Sequence, residues 1–347
     1  MGVVIAGVAG VVALAAATGA SGSAPQHAAK LTTINVSLNF DPPGAEDTPI
    51  FYGIEKGLYK AQGLQLNIIP TKGSLFAVDN VGAGTADIGM ADATTTMLAI
   101  GQGAPVVTVG TVYGSGGFGV FADKKLGITK LTQLAGHSVL VSAGSAGALL
   151  LPAALAAAHV KPGNVNIINV SSAALISTYV AGQGDAIATT IPSATPQIEP
   201  TRPSTALPFS NAGIVAPGYV LLVNKTGSLM TQHPKLIAAF LRATYKAIQG
   251  AKAYPLQAAQ AVATLNPDDD INIPVYEAGW KNWIPDLCPP THHSKPVGYP
   301  IGSDWSKAAS VLSTSNALTG STAASTFETD NFFTKYNSPA ISTVKCP

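Results

Sequence analysis

Charge is scarce in this sequence. Only 11% of its 347 residues are charged, the formal net charge is +1, and there are two arginines, Arg202 and Arg242. No basic patch exists, which excludes nucleic acid as a partner, because nucleic-acid affinity depends on clustered Lys and Arg. Neither arginine lies in a candidate ligand loop, so a bidentate arginine clamp on an anion is not expected.

Cofactor and metal patterns are also missing. The chain has no phosphate-binding Walker lysine motif. The acidic run Asp268–Asp270 and the pair His292–His293 lack the spacing of a calcium loop or a zinc site. We therefore predict no cofactor and no metal.

The one long apolar run lies at the start of the chain. Val3–Ala17 is apolar and Thr18–Ala24 is small and polar, which is typical of a secretory signal, so residues 1–24 are predicted to be a signal peptide. The run is shorter than the roughly 20 residues that a spanning helix needs. No cysteine follows it, so we expect a secreted or periplasmic protein with no lipobox cysteine.

Only two cysteines are present, Cys288 and Cys346. In an exported protein, a pair of this kind favours one disulfide over two free thiols. The bridge would hold the C-terminal tail against the region after Trp283.

What the sequence does contain is an alternation of apolar strands and helices, which predicts an α/β fold with parallel sheets covered on both sides. Glycines near Gly116–Gly117 and the Pro217–Gly218 pair predict two points where the chain crosses between lobes. The predicted division is lobe 1 at 31–117, lobe 2 at 118–217, and a return to lobe 1 with C-terminal helices at 218–347. Gly82–Gly89 and Gly182–Ala188 resemble each other, which indicates two lobes of similar plan.

Two phrases carry a family resemblance. Asp47–Tyr59, which ends Lys56-Gly57-Leu58-Tyr59, precedes the second strand, and Gly84-Thr85-Ala86-Asp87-Ile88-Gly89 leads into a polar loop. Together, over roughly Asn35–Tyr254, they resemble the ABC-importer solute-binding proteins of the nitrate, sulfonate, taurine and thiamine-pyrimidine group. The resemblance implies a periplasmic-binding-protein-like fold, two α/β lobes with a ligand cleft between them and two interlobe crossings. It also implies a monomer that is not an enzyme, with a small-molecule solute and ABC permease transmembrane subunits as partners.

Ligand residues are expected where strands end and helices begin, since open α/β sheets bind ligands there. Asn39, Phe40 and Thr48 in the first loop are assigned to the pocket, while Asp47 is equally well explained as a helix cap. Asp92 and Thr94 open the next helix, although Asp92 is also explained as an ordinary cap. Thr190 ends a lobe 2 strand, and Tyr113 and Tyr219, near the crossings, either stack on a ligand or pack the hinge.

Ser142, Gly144 and Ser145 complete the predicted ligand set and admit a second interpretation. Strand, turn with Ser145, then helix is also the context of a nucleophile elbow in a serine hydrolase. The downstream histidines, His233 and His292–His293, lie in poor positions for a triad, so a helix terminus that binds a polar ligand group is preferred. A lobe pair that feeds a signalling receptor is a third possibility.

The sequence leaves more than one solute class open. Ser, Thr and helix N–H groups could hold a sulfonate. Phe40, Tyr113 and the acids Asp41, Asp47 and Asp92 favour a planar, amine-bearing heterocycle such as a thiamine-precursor pyrimidine. The eukaryotic enzymes related to this group carry a cysteine-rich iron-binding motif, which the sequence lacks.

Overall fold

In the computed structural model, the described residues are 1–3, 30–289 and 294–346. The predicted signal peptide, apart from residues 1–3, lies outside them, as do His292 and His293. Leu31–Pro347 form one compact unit.

The first part of the chain alternates strands and helices around one sheet. A short 3-10 helix, Ala45–Asp47, leads into the first α-helix. The strands are β1 (Thr32–Ser37), β2 (Leu64–Ile69), β3 (Ile88–Asp92) and β4 (Val106–Thr111), and the helices are α1 (Thr48–Glu55), α2 (Ser74–Gly82) and α3 (Ala93–Gly101). β3 is buried along its whole length, as expected for a central strand covered on both faces.

The chain then builds a second sheet of the same size. Its strands are β5 (Phe118–Asp123), β6 (Ser138–Val141), β7 (Asn166–Asn169), β8 (Ala186–Thr190) and β9 (Ser204–Pro208), and its helices are α4 (Ala146–Ala157), α5 (Leu175–Val180) and α6 (Ile191–Ile198). Elements packed around this sheet are called lobe 2 below, and those around the first sheet lobe 1.

The rest of the chain returns to the first sheet and covers it. β10 (Tyr219–Asn224) pairs with β3 and β4. The helices that follow are α7 (Ser228–Thr231), α8 (Pro234–Ala253), α9 (Pro255–Leu265), α10 (Ile273–Trp283), α11 (Gly302–Thr314) and α12 (Asn331–Thr334). The indoles of Trp280, Trp283 and Trp305 are fully buried in this region.

Both sheets are mixed, so the expectation of purely parallel sheets is wrong. The strand orders are β2-β1-β3-β10-β4 and β7-β6-β8-β5-β9, and in each sheet one strand, β10 or β5, runs antiparallel to both neighbours. These are the strands that the chain enters on crossing from the other lobe. Such a crossing is not a βαβ connection, so it does not impose the parallel direction.

The predicted similarity of the two lobes has a structural basis. The Asp87 carboxylate accepts a hydrogen bond from the backbone N–H of Asn35 in β1 at 2.8 Å, and Asp185 accepts one from Ser138 in β6 at 2.8 Å. Each aspartate therefore ties the turn before a strand to the neighbouring parallel strand. The strand orders correspond position by position, so the lobes repeat one plan.

The sequence also predicts an amphipathic helix over His233–Tyr254 with a start signal at Thr231, and a helix over Phe327–Tyr336. In the structure α8 begins at Pro234 with His233 as its cap, whereas Thr231 ends the separate helix α7. The second predicted helix is reduced to α12. The Pro-rich segment after Thr190 contains α6 and β9; Pro192 lies in the first turn of α6, where proline is accepted, and Pro196 lies inside that helix.

The disulfide between Cys288 and Cys346 is confirmed, with a Cα–Cα distance of 5.6 Å. The segment just before it packs on the first crossing, since the Ser115 N–H donates to the Asp286 carbonyl and the Ser115 hydroxyl donates to the Asp286 carboxylate at 2.6 Å. The bridge therefore anchors the tail close to that crossing. Across the described part of the chain, every helix is too short or too polar to cross a bilayer.

Candidate functional site

A cavity of about 170 Å³ lies between the two lobes. Lobe 1 contributes the loop after β1, the start of α2, the start of β10 and Tyr276 of α10, while lobe 2 contributes the start of α4, the end of β8 and α6. The polar residues among the lining are Asn39, Glu46, Ser74, Ser145, Ser172, Thr189, Thr190, Ser193, Gln197, Tyr219 and Tyr276. The cavity thus occupies the carboxyl ends of strands from both sheets, where α/β folds bind ligands.

The Glu46 carboxylate is the centre of the hydrogen bonding in this cavity. It is 4% exposed and accepts hydrogen bonds from Asn39 Nδ2 at 3.0 Å, the Tyr219 hydroxyl at 3.2 Å and the Ser193 hydroxyl at 2.5 Å. Ser193 belongs to lobe 2 and itself accepts the indole N–H of Trp283 at 2.7 Å. One carboxylate therefore joins the two lobes through neutral donors.

The surroundings of the cavity are acidic. Burial, and then the charge of Glu46, raise the pKa of Asp47 well above its usual range. Burial raises the pKa of Asp92 to about 6, against the opposing effect of hydrogen bonds from Thr94 and Thr95. The pKa of the Tyr219 phenol is raised by burial and by the charges of Glu46, Asp92 and Asp47. Burial therefore favours the protonated, uncharged forms of Asp47 and Asp92, and the carboxylate that lines the cavity is that of Glu46.

No cationic side chain of the described residues borders the cavity. Arg202 pairs with Asp123 at 3.0 Å and lies over the Tyr179 ring in lobe 2. Arg242 donates to Gln62 at the surface of lobe 1. Both arginines therefore lie outside the lining of the cavity.

Two further contacts close the lobes around the cavity. The N–H of Leu75 in α2 donates to the Gly144 carbonyl at 3.3 Å. Asn282 Nδ2 of α10 donates to the Pro192 carbonyl of α6 at 3.1 Å. Gly73 has a positive φ of 154°, and a Cβ placed on it would lie 2.5 Å from the Gly144 carbonyl oxygen. Glycine is therefore required for the lobes to approach this closely.

The comparisons with known proteins agree with this architecture. A family model described as NMT1/THI5 like matches residues 45–258, which is more than half of the chain. The chain belongs to the NMT1/THI5-like family. No curated protein is significantly similar to it in sequence.

Several solved structures share the fold of this NMT1/THI5-like protein at low identity. A protein from Bordetella bronchiseptica RB50 is 18% identical with a TM-score of 0.72, covering 89% of this chain and 98% of its own. The alkanesulfonate-binding protein SsuA from Xanthomonas axonopodis pv. citri is 15% identical with a TM-score of 0.66, covering 87% and 100%. The nitrate-binding protein NrtA from Synechocystis PCC 6803 is 14% identical with a TM-score of 0.65, covering 90% and 93%. The predicted resemblance and the two-lobed fold are confirmed.

Five of the residues predicted to bind ligand line the cavity of this NMT1/THI5-like protein. They are Asn39, Phe40, Ser145, Thr190 and Tyr219. They come from four separate segments and from both lobes, so the fold brings together residues up to 180 positions apart in sequence. Their role in binding stays a prediction.

The other six predicted residues do not border the cavity. They are Thr48, Asp92, Thr94, Tyr113, Ser142 and Gly144. Asp92 caps α3 through the N–H of Thr95 at 2.7 Å, and the Thr94 hydroxyl donates to the same carboxylate at 2.6 Å. Tyr113 donates to the Glu46 carbonyl at 2.7 Å and packs on Trp283 with ring centroids 4.4 Å apart. These side chains support the residues that line the cavity.

Glu46 was missed as the centre of the site. From the sequence, Asp47 is the acid of the first loop with an individual role, that of a helix cap; in the structure it is buried and its carboxylate accepts the N–H of Gly44 at 2.9 Å. The signal in the sequence was an acid between Pro42-Pro43 and a helix start. Two of the residues that hydrogen-bond it, Ser193 and Tyr219, are distant in sequence.

The serine hydrolase alternative finds no support. Ser145 has extended backbone angles, φ −76° and ψ 155°, rather than the strained conformation of a nucleophile elbow. Its hydroxyl accepts the N–H of Ala148 at 3.2 Å, as an ordinary helix cap does. Within the described part of the chain, no histidine hydrogen-bonds the Ser145 side chain.

Proposed function

We propose that this protein is the extracytoplasmic solute-binding component of an ABC importer, which captures a small organic solute in the interlobe cavity. The observation that carries the proposal is that both lobes line one cavity. Glu46 of lobe 1 and Ser193 of lobe 2 are in direct hydrogen-bond contact at its edge. The alkanesulfonate-binding protein SsuA and the periplasmic nitrate-binding protein NrtA support the proposal by their shared fold.

The mechanism is capture by closure. A solute that contacts both walls binds the closed arrangement better than the open one, and only this difference in affinity shifts the population. The two crossings, residues 112–117 and 209–218, supply backbone in which the rotation can occur. ABC permease transmembrane subunits would then recognise the closed monomer. Capture of the solute by this chain breaks no covalent bond.

The test combines thermal unfolding with solution scattering. A bound solute at a hundred times its dissociation constant raises the free energy of unfolding by about 2.7 kcal/mol. The same solute is expected to lower the radius of gyration. A screen of amines, sulfonates, nitrate, pyrimidines and flavins in which no compound does either would contradict the proposal.

A further inference from the structure

The cavity carries an acidic charge that no neighbouring group offsets. Glu46 is the only residue among the described lining whose side chain is an acid or a base. Its three side-chain donors, Asn39, Tyr219 and Ser193, are neutral, so they orient the carboxylate without cancelling its charge. A buried charge without a countercharge is unfavourable, because no attraction offsets the free-energy cost of removing the charge from water.

A second acceptor lies beside this carboxylate. Asn39 is 2% exposed, and its Oδ1 atom has no hydrogen-bond partner among the described residues, although its Nδ2 atom donates to Glu46. One buried acceptor without a partner therefore lies next to the Glu46 carboxylate. A ligand group that brings several N–H donors and a positive charge would satisfy both.

The rest of the lining suits the body of such a ligand. Phe40, Phe118, Tyr219 and Tyr276 are aromatic, and aromatic faces attract ammonium groups as well as packing on apolar ones. Lobe 2 adds small residues, Ala146, Gly147, Ala188 and Ala194, which leave space without charge.

We propose that the solute is a small organic cation whose protonated amine hydrogen-bonds the Glu46 carboxylate and Asn39 Oδ1. This inference rests on the proposed solute-binding function. It makes Glu46 the residue that selects for charge, and it distinguishes this cavity from one built to hold an anion.

The experiment uses triplets of probes that share one hydrocarbon body and differ in the polar group and its charge. Benzylamine, benzyl alcohol and phenylmethanesulfonate form one triplet, and ethylamine, ethanol and ethanesulfonate form another. Affinity is measured by calorimetry and by thermal shift on the mature chain. Within a triplet the amine is expected to bind most tightly and the sulfonate least.

Glu46→Gln tests the residue itself. It keeps the shape and removes the charge, and because hydrogen bonds to charged groups are the strong ones, amine affinity should fall about tenfold or more. Glu55→Gln is the matched control, since Glu55 is an exposed acid at the end of α1. It removes the same charge outside the cavity and should leave amine affinity unchanged.

A second pair of variants avoids the buried network. Gln197 borders the cavity but is exposed, so it tolerates charge. Gln197→Lys should weaken amine binding and Gln197→Glu should strengthen it, each by a fewfold change that shrinks at high salt. This pair gives an answer even when Glu46→Gln does not fold.

The outcomes separate the two proposals. A sulfonate or alcohol that binds as tightly as its amine overturns the cation assignment and leaves the solute-binding function standing. So does a folded Glu46→Gln protein whose amine affinity stays within about twofold. If no probe of any charge binds, in these triplets or in the wider screen, the solute-binding function fails and the cation assignment fails with it.

Discussion

The two lobes have the same strand order, and in each an aspartate before a strand hydrogen-bonds the neighbouring parallel strand. They nevertheless bring different chemistry to the cavity. The lobe 1 wall holds a buried acid that is cross-linked by hydrogen bonds to Asn39 and Tyr219. The lobe 2 wall consists mainly of small and hydroxylic residues at the starts of α4 and α6. The two lobes therefore share one plan but contribute differently: lobe 1 supplies the charge of the cavity and the hydrogen bonds that orient it, and lobe 2 supplies mainly the shape of the cavity.

The two lobes also differ in the burial of their aspartates. Asp92 of lobe 1 is completely buried and one oxygen of its carboxylate, Oδ2, has no partner among the described residues. Asp185 of lobe 2 is partly exposed and accepts hydrogen bonds from Ser138 and His137, which lower its pKa. Lobe 1 is thus the side where buried charge is costly, and variants in each lobe should behave differently.

The largest effect is expected where the lobes meet. Gly73→Ala places a Cβ against the Gly144 carbonyl, so the lobes cannot close as observed. The affinity of a bound solute should fall about a hundredfold, on the order of 3 kcal/mol, since the contacts of one wall are lost. With saturating solute, scattering should give a larger radius of gyration for Gly73→Ala than for the wild type.

Gly103→Ala is the control for that experiment. Gly103 also has a positive φ, 99°, but a Cβ there meets nothing within 4 Å. Both variants place a side chain at a positive φ, at a cost on the order of 1–3 kcal/mol, and only Gly73→Ala should alter closure. Equal scattering curves for the two would show that this contact does not limit closure.

Asp92 should make lobe 1 sensitive to rising pH. Its pKa is about 6 in the folded state against 3.8 for an unperturbed aspartate. The folded state therefore holds a proton that the unfolded state has released. The resulting stability is full below about pH 4 and is lost as pH rises through 6, by up to about 3 kcal/mol.

Urea unfolding from pH 4 to 7 measures this effect. Asp92→Asn cannot titrate, so the difference between wild type and variant isolates the contribution of Asp92 from that of Asp47. Asp185 has the opposite sign, because its lowered pKa makes its contribution vanish as pH falls. A wild type and Asp92→Asn pair with parallel pH profiles would contradict the assignment.

Asn39→Ala and Thr190→Ala compare the two walls directly. Asn39→Ala removes a donor from the buried Glu46 carboxylate and should lower the free energy of unfolding by about 1–3 kcal/mol. Thr190 is half-buried and its side chain makes no capping hydrogen bond, so its replacement should change stability by less than about 0.5 kcal/mol. Both should weaken solute binding, and an effect on binding from one wall alone would contradict capture by two lobes.

How far the sequence predicted this site can be seen in particular residues. Local signals placed the strand-to-helix turns at Asn39, Ser145 and Thr190, because turns and caps have characteristic residue types. Glu46 escaped since its importance comes from Ser193 and Tyr219, which are 147 and 173 positions away. The antiparallel strands β5 and β10 were missed for the same reason, because direction is set by the path between lobes.

The smallest effect on solute affinity is expected at Ser145, where the lobe 2 wall begins. Its hydroxyl caps α4 through the N–H of Ala148, so Ser145→Ala should cost about 1 kcal/mol of stability. Affinity should fall by about 0.5–1.5 kcal/mol, in line with one hydrogen bond. Ser145→Thr, which keeps a hydroxyl, should restore most of the cap.

A fluorophosphonate probe is expected to leave Ser145 unlabelled, since no histidine hydrogen-bonds it in the described part of the chain. Labelling at Ser145, together with ester hydrolysis that Ser145→Ala abolishes, would show that lobe 2 takes part in catalysis. That result would contradict the proposal that lobe 1 supplies the charge of the cavity and lobe 2 only its shape.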